Sequence, residues 1–246
     1  PGEPVTLVSS PNAAFRPADL EFGMDGALYV SDFCSPIIGH AQHPMRDPHW
    51  DHDYGRIWKI VHKGKPLVSA IPKIPGASVD ELCKLLTHDQ DLVRKHARIE
   101  LRKHGAKAVS VVDQWIANFD RKEERFDQAA LEAIFVLGGL GEVRPALLDE
   151  LSKSKSFLYR AAVALLIERQ ADQLKDISKR LSVLATDPHP RVQIAVINAV
   201  AQLRPTHPEL GEILNLIASD QSIVQETLKI LDQGVEPAKG RSVPVL

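Results

Sequence analysis

The sequence predicts an α+β chain in which short antiparallel strands give way to an all-α array of paired helices. Two observations carry this. Residues 1–72 hold 9 of the 17 prolines and 6 of the 14 glycines, with apolar runs of only three to five residues between them. From Ser78 onward the apolar period becomes helical, and a repeat of 31–34 residues appears.

In the first part, Val5-Thr6-Leu7-Val8 reads as a strand, and Ala27-Leu28-Tyr29-Val30 as a second, after a turn at Met24-Asp25-Gly26. Ile57-Trp58-Lys59-Ile60-Val61 is a third, and Leu20-Glu21-Phe22 is placed to pair back on the second. Three or four such strands form one antiparallel sheet, too little to bury two faces alone.

In the second part, Val93-Arg94-Lys95-His96-Ala97 aligns with segments starting at Phe126, Leu158, Val192 and Ile223, at spacings of 33, 32, 34 and 31. Each repeat divides into two amphipathic helices. The expected pairs are Val79–Thr87 with Leu92–His104, Lys107–Asn118 with Arg125–Leu137, and Val143–Leu151 with Phe157–Arg169. Leu174–Thr186 with Arg191–Leu203, and Glu209–Ala218 with Ser222–Leu231, complete the five. Small residues (Ala97, Ala130, Ala162, and Ala195 one place early) recur where helices must approach closely. Asp187-Pro188-His189-Pro190 carries helix-start chemistry. A two-helix repeat of this length is HEAT-like, and such units stack because none buries its apolar face alone. The domain plan is therefore 1–72, 73–234 and a linker-like tail, 235–246. The solenoid offers a face to a protein or polysaccharide partner, or serves as a spacer.

Charge narrows the partners. With 30 Lys+Arg against 32 Asp+Glu the net charge is −2, so no field is present to hold nucleic acid. No apolar stretch reaches the ~20 residues of a bilayer span. The opening residues read as no signal peptide, and the two cysteines, Cys34 and Cys83, form no Cys-x-x-Cys-His haem motif.

The stretch from Phe15 to Ile60 is the most distinctive. It runs through Phe15-Arg16-Pro17-Ala18-Asp19-Leu20-Glu21-Phe22-Gly23-Met24-Asp25-Gly26-Ala27-Leu28-Tyr29-Val30-Ser31-Asp32 to Asp51-His52-Asp53-Tyr54-Gly55-Arg56-Ile57-Trp58-Lys59-Ile60. This resembles the PVC-type membrane-bound dehydrogenases, also called haem-binding CxxCH proteins. The resemblance implies a β-propeller whose last blade is residues 1–72, with the other blades upstream. It also implies HEAT repeats, a c-type haem domain downstream and a periplasmic or cell-surface location. The parent would oxidise sugars or alcohols with a quinone cofactor and pass electrons to haem c. Phe33-Cys34-Ser35 departs from the Trp-Tyr-Asn common in that family.

The chemistry available lies in the loop 32–56. His40, His43, His49 and His52 stand there with Asp47, Asp51 and Asp53. These polar groups can satisfy the backbone of a long loop, contact a substrate or cofactor, or hold a metal, although no metal-site spacing is complete. For a catalytic role the candidates are His40, His43, Asp51 and His52, a His–Asp set able to take a proton from an alcohol. For cofactor binding they are Arg56, which suits an anionic quinone carboxylate, and Asp32, which either caps the turn or faces a propeller channel.

Overall fold

The computed structural model describes residues 3, 5–35 and 54–232. The chain divides into two compact units, Pro1–Lys73 and Ile74–Leu246.

The first unit holds a three-stranded antiparallel sheet in the order β1 (Pro17–Phe22), β2 (Leu28–Asp32), β3 (Arg56–Ile60). A β-bulge between Pro17 and Asp19 follows from Pro17, which has no N–H to give the ladder. The β1–β2 connection is closed by Gly23 N–H to Ala27 O, Gly26 N–H to Gly23 O, and Ala27 N–H to the Asp25 side chain. Gly26 has φ +80°, the left-handed region that a Cβ disfavours. The Met24-Asp25-Gly26 turn thus stands where expected.

Across β2–β3, Tyr29 faces Lys59. The Tyr29 hydroxyl and the Lys59 ammonium converge on Asp25 Oδ2 at 2.9 and 2.6 Å. The Lys59 hydrogen bond, then those of Ala27 and Tyr29, hold the Asp25 carboxyl at about 2.

Val5–Val8 forms no strand. Val5 and Leu7 are exposed, and the run has no cross-strand partner among the described residues.

The second unit contains α1 (Val79–Leu85), α2 (Asp91–Lys103), α3 (Ala106–Ala117), α4 (Phe126–Gly138) and α5 (Pro145–Leu151). It continues with α6 (Phe157–Arg169), α7 (Ile177–Ala185), α8 (Pro190–Leu203), a 3-10 helix (Pro208–Leu216) and α9 (Ser222–Asp232). Helix starts have local causes. Ser78 and Glu81 cap α1 reciprocally, Pro145 and Pro190 open α5 and α8, and His189 Nδ1 accepts from Arg191 N–H. The first helix of the fifth pair is 3-10 rather than α. Pro208 opens it, and Gly211 weakens the interior of a nine-residue segment.

Alternate helices pack in series: α2 on α4, α4 on α6, α6 on α8 and α8 on α9. The first helices of the pairs lie beside them, α1 on α3 and α7 on the 3-10 helix. Between the rows the core is aliphatic, with Leu82, Leu101, Ile134, Leu137, Leu148, Ile167, Leu181, Leu184 and Ile197 fully buried. Ala162 and Ala195 are only half-buried. The small buried positions equivalent to Ala97 and Ala130 are Val163 and Val196.

Candidate functional site

Of the six candidate residues, the structure describes two and joins them. Asp32 ends β2 directly opposite Arg56, which begins β3. Strand alternation puts Trp58 on the same face as Arg56, and Val30 on the same face as Asp32. The Asp32 carboxylate is buried at 3% exposure and gathers donors from three parts of the chain. Oδ1 accepts from the backbone N–H of Arg16 at 2.8 Å and of Cys34 at 2.9 Å. Oδ2 accepts from the Trp58 indole Nε1–H at 2.8 Å and faces Arg56 Nε at 2.9 Å as an ion pair.

Burial is the largest influence on Asp32 and pushes its carboxyl up. The bonds from Trp58, Arg16 and Cys34, with the Arg56 charge, outweigh it and hold the group at about 2. The local backbone bends to fit. Cys34 has φ +55°, and Phe33 N–H closes on Arg16 O.

Arg56 lies over the Trp58 ring at 5.4 Å, and Phe15 meets Trp58 edge-on at 6.2 Å. Arg56 Nη2 is buried and has no hydrogen-bond partner among the described residues. The node thus ties β2, β3 and the segment before β1 around one carboxylate. His40, His43, Asp51 and His52 lie outside the described residues, as do His49, Asp47, Asp53 and the 235–246 tail. Among the described residues no three His, Cys, Asp or Glu side chains stand together as metal ligands would. No helix among them is long and apolar enough to cross a membrane.

Residues 3–64 match the family described as a domain of unknown function, DUF7133. No curated protein and no solved structure matches the chain.

The helical unit carries an organised set of polar side chains that the sequence reading passed over. One position near the start of each second helix is polar, and in four of the five pairs its side chain reaches back to the loop before it. Arg94 Nη1 donates to the carbonyls of His88 and Asp89, and Arg160 Nη1 to those of Ser154 and Lys155. Gln193 Nε2 donates to Asp187 O and Gln225 Nε2 to Ser219 O. In the second pair the position is Asp127, an acceptor that takes the Ser154 hydroxyl of the next loop instead. Arg160 likewise holds the next loop through Asp187. Residues 94, 127, 160, 193 and 225 therefore define the repeat at a nearly uniform spacing of 33 or 32. The apparent 32 and 34 around Leu158 come from an alignment one residue out of step. The available signal was a polar side chain at the second or third place of every aligned segment.

Proposed function

We propose that this chain is an interaction module. In this reading residues 73–234 are a HEAT-like α-solenoid that holds a protein or polysaccharide partner along its second-helix row. The observation that carries it is the recurring polar position at residues 94, 127, 160, 193 and 225. Four of these five side chains tie down the loop of their own pair, and two link to the loop of the next. Units joined in this way present one continuous surface suited to an extended partner.

A second reading concerns the parent polypeptide. Residues 1–72 are here the last blade of a β-propeller in a periplasmic or cell-surface sugar or alcohol dehydrogenase related to the PVC-type family. Support comes from the stretch Phe15–Ile60 and from the apolar residues that the three strands leave uncovered: Leu20, Phe22 and Ile57 are 60%, 62% and 76% exposed. Neighbouring blades would cover them. Arg56 Nη2 has no hydrogen-bond partner among the described residues and suits an anionic group of a quinone cofactor, whereas Asp32 is spent on its own fold. The helices would then stand between the oxidation site and a c-type haem domain.

The test is the full-length gene product, assayed for sugar- and alcohol-dependent reduction of a soluble dye and of its own haem. Both reductions are expected. Deleting the helical unit is expected to abolish haem reduction and spare dye reduction. Absence of dye reduction in the intact protein would remove the dehydrogenase reading. Undiminished haem reduction after the deletion would remove the role given to the helices.

A further inference from the structure

The last turns of α2, α4 and α6 surround an open cavity of about 290 Å³. Three guanidinium groups line it, those of Arg98, Arg102 and Arg169, together with the side chain of Gln170. Their situations differ. Arg98 is buried against Glu132, which also takes Arg94 Nε, and its guanidinium lies 5.3 Å over the Phe135 ring. Its charge is spent inside the fold. Arg102 and Arg169 are exposed and form no ion pair with a described residue, although the charge of Arg169 acts on the neighbouring Glu168. Gln170 is only 8% exposed, and its Oε1 is buried without a hydrogen-bond partner among the described residues. A buried acceptor in that state calls for a donor.

Two adjacent glycines make the space. A Cβ on Gly138 would stand 2.7 Å from Gln170 Nε2, and one on Gly139 would stand 2.7 Å from Arg102 Cδ. Arg102 and Gln170 therefore close in on the end of α4 only because positions 138 and 139 carry no side chain. The carbonyl ends of three helices account for cations in this place. They account neither for the outward N–H groups of two unpaired guanidiniums nor for an amide oxygen with no donor.

We infer that this cavity binds an acidic segment of a partner protein. A side-chain carboxylate of the segment enters between Arg102 and Arg169, whose forks match its geometry, and a backbone N–H of the same segment reaches Gln170 Oε1. The volume is at the small end of ligand pockets and suits one acidic side chain with its flanking peptide groups. A sulfate ion satisfies the two arginines and offers Gln170 nothing. This inference rests on the reading of the helical unit as a partner-binding surface.

The experiment is calorimetric titration of the whole chain, at low salt, with a capped peptide of five consecutive glutamates. An all-glutamine peptide and sodium sulfate serve as comparisons. The glutamate peptide is expected to bind and the glutamine peptide to show no heat. Arg102→Gln and Arg169→Gln are each expected to weaken binding about tenfold, and Gln170→Leu about fivefold. Lys107→Gln, on the other row, is expected to leave it unchanged, and circular dichroism melts show that each variant is folded. Silence of the unaltered chain toward the glutamate peptide overturns the inference. So does sulfate binding as tightly as the peptide, or binding that survives the R102Q/R169Q double substitution. The last result would move the acidic segment elsewhere on the row and leave the scaffold reading intact.

Discussion

Arg160 in α6 grips Asp187, in the loop before α8, through two nitrogens: Nε to Oδ2 at 2.6 Å and Nη2 to Oδ1 at 3.0 Å. Both side chains are largely buried, at 16% and 7% exposure, and the remaining Arg160 nitrogen ties the loop of its own pair. One side chain thus fixes a loop and locks it to the next. Removing it strands a buried carboxylate that keeps only its bond from His189 N–H.

Arg160→Ala is therefore expected to destabilise the helical unit by about 3 kcal/mol, a buried pair broken from one side. Arg160→Lys keeps the charge and loses the fork, so its loss should be smaller, about 1 to 2 kcal/mol. Urea denaturation of the whole chain followed at 222 nm checks both. Equal midpoints for Arg160→Ala and the unaltered chain would show that the pair contributes nothing to stability.

Asp32 makes the sheet acid-sensitive in a defined window. Its folded pKa, about 2, lies below the ordinary aspartate value of 3.8. The stabilisation is then complete above about pH 4 and lost as pH falls toward 2. The Trp58 indole N–H resonance, assigned with Trp58→Phe, should hold its position down to about pH 3 and move only below it. A midpoint at or above pH 4 would contradict the node. At neutral pH, Asp32→Asn turns a donor toward donors and should cost the sheet about 2 to 3 kcal/mol.

Gly138 and Gly139 should respond differently to alanine. At Gly139 the new Cβ meets the exposed, flexible Arg102 side chain, which can swing aside. At Gly138 it meets Gln170, which is buried and hemmed in. Gly139→Ala is expected to leave the thermal midpoint unchanged or raise it, through the lost backbone freedom of glycine. Gly138→Ala is expected to lower it despite the same entropic gain. The reverse order would show that Gln170 moves more freely than its burial implies.

The two thiols, which are not disulfide-bonded, should report on the two units separately. Cys83 is 1% exposed, and burial, aided by the charge of Asp80, pushes its thiol up to about 12. Iodoacetamide at pH 8 should label half-buried Cys34 first and Cys83 only as the helices unfold. Mass spectrometry of timed samples reads this directly, and prompt labelling of Cys83 in the native chain would refute it.

The α+β division and the helix positions were legible in the amino-acid pattern because apolar period and breakers agree at each boundary. Gly138-Gly139, Arg204-Pro205 and Pro188-His189-Pro190 each stand at an observed helix end. Where the reading slipped, one type of evidence stood alone. Val5–Val8 has strand composition without a neighbour to pair with among the described residues. Leu158 looked equivalent to Val93, yet it is 52% exposed, and Tyr159 and Arg160 occupy the matching places. The Asp32–Arg56 contact was visible only as two charges at the ends of a long loop. The register that makes them opposite partners comes from the sheet. The cavity at Gln170 was not legible at all, because its arginines come from two helices 67 positions apart, Arg102 and Arg169.

The couples between successive pairs differ in chemistry while sharing one geometry: Asp127 accepts from Ser154, and Arg160 donates to Asp187. Excise one 33-residue unit between them and Asp127 would confront Asp187, acid against acid in a nearly dry place. Duplicate the third unit and Arg160 would meet a serine. The helix pairs are thus alike in spacing but not interchangeable. At these two junctions the order is set by neighbour-specific couples, which makes loss or gain of a unit there a self-penalising error.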